Sequence, residues 1–173
     1  MGLKPKKALE TLAVSTIIVL PNDTNTIGNM MGGRLLHHLD VVGAIAAHRL
    51  CNRVVVTAAV NNVSFNQAIK LADIVTLEAK VSRSFTTSME VCIDVYVENH
   101  ANGAKTKCNE AIYTFVAVDQ IGSPIAVPEV IPETPLETER YKAALRRRQL
   151  SLILAGKLKP DDATELKSLF SKP

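Results

Sequence analysis

Residues 31–50, MGGRLLHHLDVVGAIAAHRL, place apolar side chains on every face of a helix after Leu35. A helix without a polar face has to be buried, and Gly43, Ala44, Ala46 and Ala47 would let neighbouring strands come close to it. The segments around it are written with a period of two. Residues 12–20, LAVSTIIVL, are rich in β-branched types and stop at Pro21, and Arg53–Phe65 reads as a further strand. Asp73–Phe85 alternates Val75, Leu77, Ala79 and Val81 with Thr76, Glu78 and Lys80. Ser88–Glu98 alternates Met89, Val91, Ile93 and Val95 with Glu90 and Asp94, and Lys105–Asp119 ends in AIYTFVAVD. Strands with one apolar and one polar face pair antiparallel and pack on one side. Asn102-Gly103 marks a hairpin between the last two. The expected class is α+β, a curved antiparallel sheet wrapped around one long central helix.

Residues 123–136, SPIAVPEVIPETPL, hold four prolines and read as an extended linker. Thr134-Pro135-Leu136-Glu137 spells a capping box with Pro at the first helical position, and Gly156 stops the helix it begins. Pro160 to Phe170 reads as a second short helix. The expected organisation is one domain over 10–130 and a helical C-terminal extension over 133–173. Residues 1–132 contain eleven Lys/Arg and eleven Asp/Glu, so the net charge of +3 sits entirely in the extension. The body has no broad basic footprint, which argues against nucleic acid as a partner. Aromatics make up only 4%, with no Trp, so interleaved base-stacking side chains are not expected either. Arg146, Arg147 and Arg148 read as a solvated helix face, the functional alternative being a subunit or phosphate contact.

Cys51, Cys92 and Cys108 form no CxxC pair and are odd in number, which fits a reducing compartment better than a disulfide framework. No apolar run approaches the roughly 18 residues of a membrane span. Glu10, Ser15 and Thr16 interrupt the one N-terminal stretch that resembles a signal peptide. A cytoplasmic protein without membrane association is the expectation. Neither an HExxH motif nor a His/Cys cluster is present, so no metal site is expected.

Asp40 is the most informative single residue. It sits mid-helix, where Asp is a poor helix former, on a helix expected to be buried, where an unpaired carboxylate costs several kcal/mol. An ion pair with Arg34, His37 or a strand residue would account for it, and so would a functional role. Gly28-Asn29-Met30-Met31-Gly32-Gly33 stands just before the helix, where exposed amides and the helix dipole suit a phosphate or a developing oxyanion. It is not a Walker loop, because Arg34 follows instead of Lys-Ser/Thr. His37 shares a face with Asp40, so a His–Asp pair is a further candidate.

Taken together, PNDTNTIGNMMGGRLLHHLD closely resembles the signature of the hotdog-fold acyl-CoA thioester hydrolases of the cytosolic acyl-coenzyme A thioesterase type. VVVTAAVNNVSF, TSMEVCIDVYVEN and EAIYTFVAVD agree in order and spacing, so the resemblance covers roughly residues 10–130. It implies hydrolysis of acyl-CoA to a fatty acid and coenzyme A, with coenzyme A as part of the substrate and no separate cofactor. It also implies a homodimer with a continuous sheet and active sites at the subunit interface, assembled further as a trimer of dimers, a hexamer. The family's catalytic carboxylate falls on Asp40, as general base or nucleophile, and its active-site Asn falls on Asn25, reaching across from the partner subunit. Gly33 matches the amide that polarises the thioester carbonyl, with Gly32 beside it. Thr57, Thr87 and Ser88 match positions that line the cleft or contact coenzyme A. Arg83 is taken with them as the nearest arginine, although its odd offset puts it on the opposite strand face.

The chain departs from the family pattern in places. Phe85-Thr86 stand where Gly-Arg is frequent, Asn66-Gln67-Ala68 where His, Arg and Pro are frequent, and Asn61 and Ser64 where acids are frequent. A non-catalytic acyl-CoA sensor on the same fold is the alternative reading. Such sensors carry a helix-turn-helix region, and none is read here.

Overall fold

A computed structural model describes residues 3–170, so the last three residues of the expected extension lie outside the described part. The elements run β1 (Lys6–Lys7), β2 (Ala13–Ile18), α1 (Gly32–Cys51), β3 (Val54–Phe65), β4 (Ile74–Ser84), β5 (Ser88–Glu98), β6 (Lys105–Val118), β7 (Val130–Ile131), α2 (Pro135–Leu154) and α3 (Thr164–Lys167). Five strands form one antiparallel sheet in the order β2-β4-β5-β6-β3. The sheet curves around α1, and the architecture is the expected one.

The period-two pattern decides which face meets the helix. Val75, Leu77, Ala79 and Val81 of β4, Met89, Val91, Ile93 and Val95 of β5, and Tyr113 and Phe115 of β6 are all at most 1% exposed and join one core cluster with α1. From α1 come Leu35, Leu39, Val42, Ala46 and Leu50, spaced three and four apart as one helix face requires, with Ala47 beside them. Gly43 is the point of closest approach. A Cβ there would stand 2.9 Å from Phe115 and 3.2 Å from Ile93, so only glycine lets the helix seat this deeply.

The helix is not buried all round. Val41 and Ile45 are 46% and 44% exposed and, with His37, form a stripe that nothing among the described residues covers. The all-apolar pattern therefore spans two faces, one packed on the sheet and one exposed. Strand β3 makes the same point. It is a twelve-residue edge strand whose outer rim has no partner among the described residues, with Val54, Val56 and Val60 exposed. Long apolar edges of this kind are templates for pairing with a second chain.

The outer face of the sheet is covered as well. The Pro-rich segment 123–136 is docked rather than free: Ile125 N–H donates to Ala117 O, Val127 N–H to Thr86 O and Val130 N–H to Ser84 Oγ. Its strand β7 pairs in parallel with β1. Thr134 and Glu137 form the expected capping box, each side chain accepting from the other's backbone N–H. Helix α2 then lies on the polar face of β4–β5–β6 through ion pairs. Lys80 meets Glu137 at 2.8 Å, Arg140 meets Asp94 at 2.7 Å, and Arg147 grips Glu90 through two bonds of 2.7 and 2.9 Å. Ser82 Oγ also donates to Glu90, which is only 3% exposed. Arg147 is thus the half-buried partner of a buried carboxylate and not part of a solvated face.

Burial works against the ionised Asp94 and Glu137 carboxyls. The hydrogen bonds from Arg140 and Lys107, and from Lys80 and the backbone N–H groups of Glu133 and Thr134, outweigh it and hold both below the usual carboxylate range. Their contribution to stability is complete above the unfolded-chain carboxylate range near 4 and is lost as pH falls through the depressed values. On lowering the pH from about 6 to about 3, α2 amides are expected to lose hydrogen-exchange protection before those of β4 and β5. In the core, Gly43→Ala is expected to destabilise the fold by about 1–3 kcal/mol in urea unfolding, because the added Cβ would force the fully buried Phe115 ring to shift.

Candidate active site

The loop before α1 is built around two side chains. The Asp23 carboxylate accepts from Leu20 N–H at 3.1 Å and pairs with Arg34 at 3.4 Å, while its carbonyl accepts from Met31 N–H at 2.8 Å. Asn25 Oδ1 accepts from the N–H groups of Ile27 and Asn29, both at 3.1 Å, and Asn25 N–H closes the turn onto Asn29 O. Gly28 takes the positive φ, +77°, that the turn requires. Bonds from Met30 N–H to Ile69 O and from Leu71 N–H to Gly28 O tie the loop to the segment before β4. The side-chain oxygen of Asn25 is consumed by its own loop. Its Nδ2 is what remains to act, on an exposed residue.

At the start of α1 the cap residue Met31 offers no side-chain acceptor and the first turn holds no acid. Arg34 and Leu35 N–H both return to Met31 O, whereas Gly32 and Gly33 N–H have no acceptor among the described residues. Two exposed donors at the positive end of a twenty-residue helix form a site for a carbonyl oxygen that is gaining charge.

Seven residues further along, Asp40 Oδ1 accepts from Thr57 Oγ1 at 2.5 Å, a short charge-assisted bond that links the helix to β3 just before a bulge. Asp40 is half-buried and Thr57 exposed, so the carboxylate faces outward at the open edge of the sheet rather than into the core. The sequence pattern had suggested burial, because it could not separate the helix face that meets the sheet from the one beside it. Tyr113 lies beneath. Burial pushes its hydroxyl up to about 12, with the nearby Asp40 charge adding to the effect, and the hydroxyl donates to Leu36 O at 3.2 Å. Tyr113 was not among the sequence candidates. Its signal was a tyrosine in the inward phase of AIYTFVAVD, where a hydroxyl needs a partner.

A cavity of about 400 Å³ opens beside the helix start, lined by Met30, Gly32, Leu35, Phe65, Ile69 and Asn109 among others. His37 packs edge-on against His38 and makes no hydrogen bond with Asp40. Asn25 and Asp40 are likewise not hydrogen-bonded to each other within the chain. Arg83, Thr87 and Ser88 stand elsewhere, at the turn from β4 to β5. Arg83 donates to Tyr141 O at 3.1 Å, and Ser88 Oγ accepts from Arg148 at 3.0 Å. The expected site residues therefore fall into two groups, one around α1 and β3 and one under α2. Among the described residues no group of three or more His, Cys, Asp or Glu side chains could hold a metal ion, and no helix is long and apolar enough to cross a membrane.

The family model of the thioesterase superfamily matches residues 27–104. The chain is 38% identical over 138 residues to the uncharacterised acyl-CoA thioester hydrolase YkhA of Bacillus subtilis, covering 80% of each. A solved apo-hexameric acyl-CoA thioesterase superposes with a TM-score of 0.84 at 34% identity, over 88% of this chain and 98% of that one. The Staphylococcus aureus acyl-CoA hydrolase in complex with butyryl coenzyme A, coenzyme A and coenzyme A disulfide superposes with a TM-score of 0.82 at 31% identity, over 96% and 99%. Structures of that enzyme with one Asn, one Asp or one Thr replaced by Ala are similar as well.

The loop geometry has a direct check. Asn25→Ala is expected to speed amide exchange at Ile27 and Asn29 by about fivefold, the worth of a hydrogen bond of about 1 kcal/mol. Asn25→Asp, whose carboxylate still accepts both bonds, is expected to leave them protected.

Proposed function

Because the chain belongs to the acyl-CoA thioester hydrolase family, built on the hotdog fold, we propose that its activity is carried by Asp40, Asn25 and the N-terminal turn of α1. The enzyme cleaves acyl-CoA into a carboxylic acid and coenzyme A. Asp40 acts as general base on a water, and Thr57 holds the carboxylate in place. The thioester carbonyl rests against the Gly33 N–H, where the helix dipole and an unspent donor stabilise the oxyanion. Asn25 of the partner subunit adds its Nδ2 as a second donor. That role follows from its oxygen being committed to the loop, which leaves no acceptor to orient a water. The leaving thiolate needs little protonation, since thiols near pKa 8.5 are good leaving groups.

The observation that carries this reading is a recurrence of spacing. Asn25, Asp40 and Thr57 stand 15 and 17 residues apart, in the order and at the separations of the Asn, Asp and Thr replaced in the Staphylococcus aureus enzyme. Asp40 lies seven residues, about two turns, after Gly33 on the same helix, and helical side chains lean back toward the helix start, where a carbonyl at Gly33 and an attacking water would sit.

Assembly completes the site. The exposed rim of β3 with Val54, Val56 and Val60, and the stripe of Val41 and Ile45 beside it, frame the Asp40–Thr57 pair. Pairing β3 with its copy in a second chain would cover both and exclude water from the carboxylate. Homologous thioesterases are hexamers, and a trimer of such dimers is the assembly proposed here.

Following free thiol release over a panel of acyl-CoAs tests the assignment. Asp40→Asn is expected to lower kcat by on the order of 10³-fold or more with acyl-CoA binding retained. Asn25→Asp is expected to lower kcat by about 10²-fold or more while the loop stays folded, because it replaces a donor with a charge that repels the oxyanion. Retention of most activity in Asp40→Asn would sink the assignment of the base. Binding without release by the unmodified protein would make it a sensor.

A further inference from the structure

Helix α2 crosses the sheet obliquely, and its successive partners trace the path. Glu137 meets Lys80 on β4, and Arg140 and Arg147 meet Asp94 and Glu90 on β5. Arg148 lies 4.2 Å over the ring of Phe85 and donates to Ser88 Oγ at the start of β5. Ser151 and Leu152 then face Thr114 of β6 and Ala59 of β3 across a cavity of about 100 Å³. Leu150, Ser151 and Leu154 share a groove of about 250 Å³ with Val60 and Asn61 of β3. In a sheet ordered β2-β4-β5-β6-β3, this path ends at the open edge.

Packing within the chain does not account for the leucines at that end. The fully buried residues of α2 are Glu137 and Ala144, whereas Leu150 and Leu154 are 45% and 80% exposed. They stand four residues apart, on one face of the helix. A single exposed leucine is ordinary on a protein surface. These two instead border Val60, which belongs with Val54 and Val56 to the exposed apolar row along β3. The one ionic side chain in the groove, Arg147, is spent on Glu90, and Asn61 Nδ2 donates to Thr114 Oγ1 at 2.7 Å. A charged ligand finds no counter-charge there.

We infer that the last turns of α2, through Leu150 and Leu154, reach over the edge of β3 and pack on a second copy of this chain. The inference rests on the pairing of β3 with its copy given above, and it adds the C-terminal extension to that interface. Two observations select this occupant. The groove adjoins a strand edge whose outward N–H and C=O groups are matched by another extended strand. Val60 also lies near the middle of β3, so antiparallel pairing centred on the strand brings the groove and its copy together across a two-fold axis. A patch that meets itself in this way has to be self-complementary, and an apolar groove without free charge meets its copy without repulsion. The extension then acts as a clamp on the two chains that supply Asn25 and Asp40.

The thiol reactivity of Leu154→Cys tests the contact, because Cys51, Cys92 and Cys108 are all buried. Labelling by a maleimide is expected to be about tenfold or more slower in the assembled protein than after dissociation by dilution. Leu150→Asp combined with Leu154→Asp is expected to weaken the β3 dimer about a hundredfold or more in sedimentation equilibrium, and to make thiol release from acyl-CoA depend on protein concentration. The ion pairs of Glu137, Arg140 and Arg147 keep α2 docked in this variant, which unchanged amide protection in α1 and β5 would verify. An assembled protein with protected β3 amides, in which Leu154→Cys reacts as fast as after dissociation, would overturn the inference and leave the pairing of β3 standing. Breakdown of the double variant into dimers whose β3 amides stay protected would overturn it too, since the leucines would then face a neighbouring dimer. An unmodified protein that is monomeric at every concentration would remove both the inference and the assembly on which it rests.

Discussion

The closeness of α1 to the sheet at Gly43 governs how this chain is arranged. With no Cβ at that position, Phe115 and Ile93 pack directly against the helix backbone, and the sheet bends around a single rod. Once the helix is seated that deeply, its flanking faces emerge at the sheet margins rather than in the core. Asp40 is carried to such a margin. It meets Thr57 on the edge strand, and the helix start is left uncapped and accessible. The same packing that gives the molecule its core therefore puts the Asp40 carboxylate at an open rim.

The other face of the sheet follows different chemistry. Glu90 and Asp94 alternate with the core residues of β5 and would be solvated in a sheet with one bare side. Here they are buried beneath α2 and held by arginines spaced along it. Buried ion pairs of this kind add little net stability, because desolvation offsets most of the Coulombic gain. They do specify register, since a helix shifted by one turn would leave buried carboxylates without partners.

The loop from Pro21 to Met31 divides labour within a small number of atoms. Asp23 anchors it to the helix start, and Asn25 folds it with its oxygen while leaving its nitrogen outward. A side chain that both builds its loop and presents a donor cannot be exchanged for a larger or apolar one without losing both functions. Within one chain Asn25 and Asp40 make no hydrogen bond with each other. The exposed apolar rim of β3 supplies the physical reason for a second chain.

Much of the fold was legible in the residues. The period-two runs named the strands and their inward faces, because alternation maps directly onto the two sides of a sheet. The small residues of α1 marked the close approach, and the capping box at Thr134 marked the start of α2. The motif around Asn25 and Asp40 identified the family and the candidate residues. Local pattern was silent on everything decided by contacts far apart in sequence. It could not show that Asp40 would be outward and bonded to Thr57, or that Tyr113 would lie beneath it. Nor could it show that the proline-rich segment would be docked, or that Arg147 and Arg148 would be consumed by Glu90, Ser88 and Phe85. An arginine run on a helix looks the same whether it faces water or a buried carboxylate. What distinguishes the two is the partner, and the partner is brought there only by the tertiary fold.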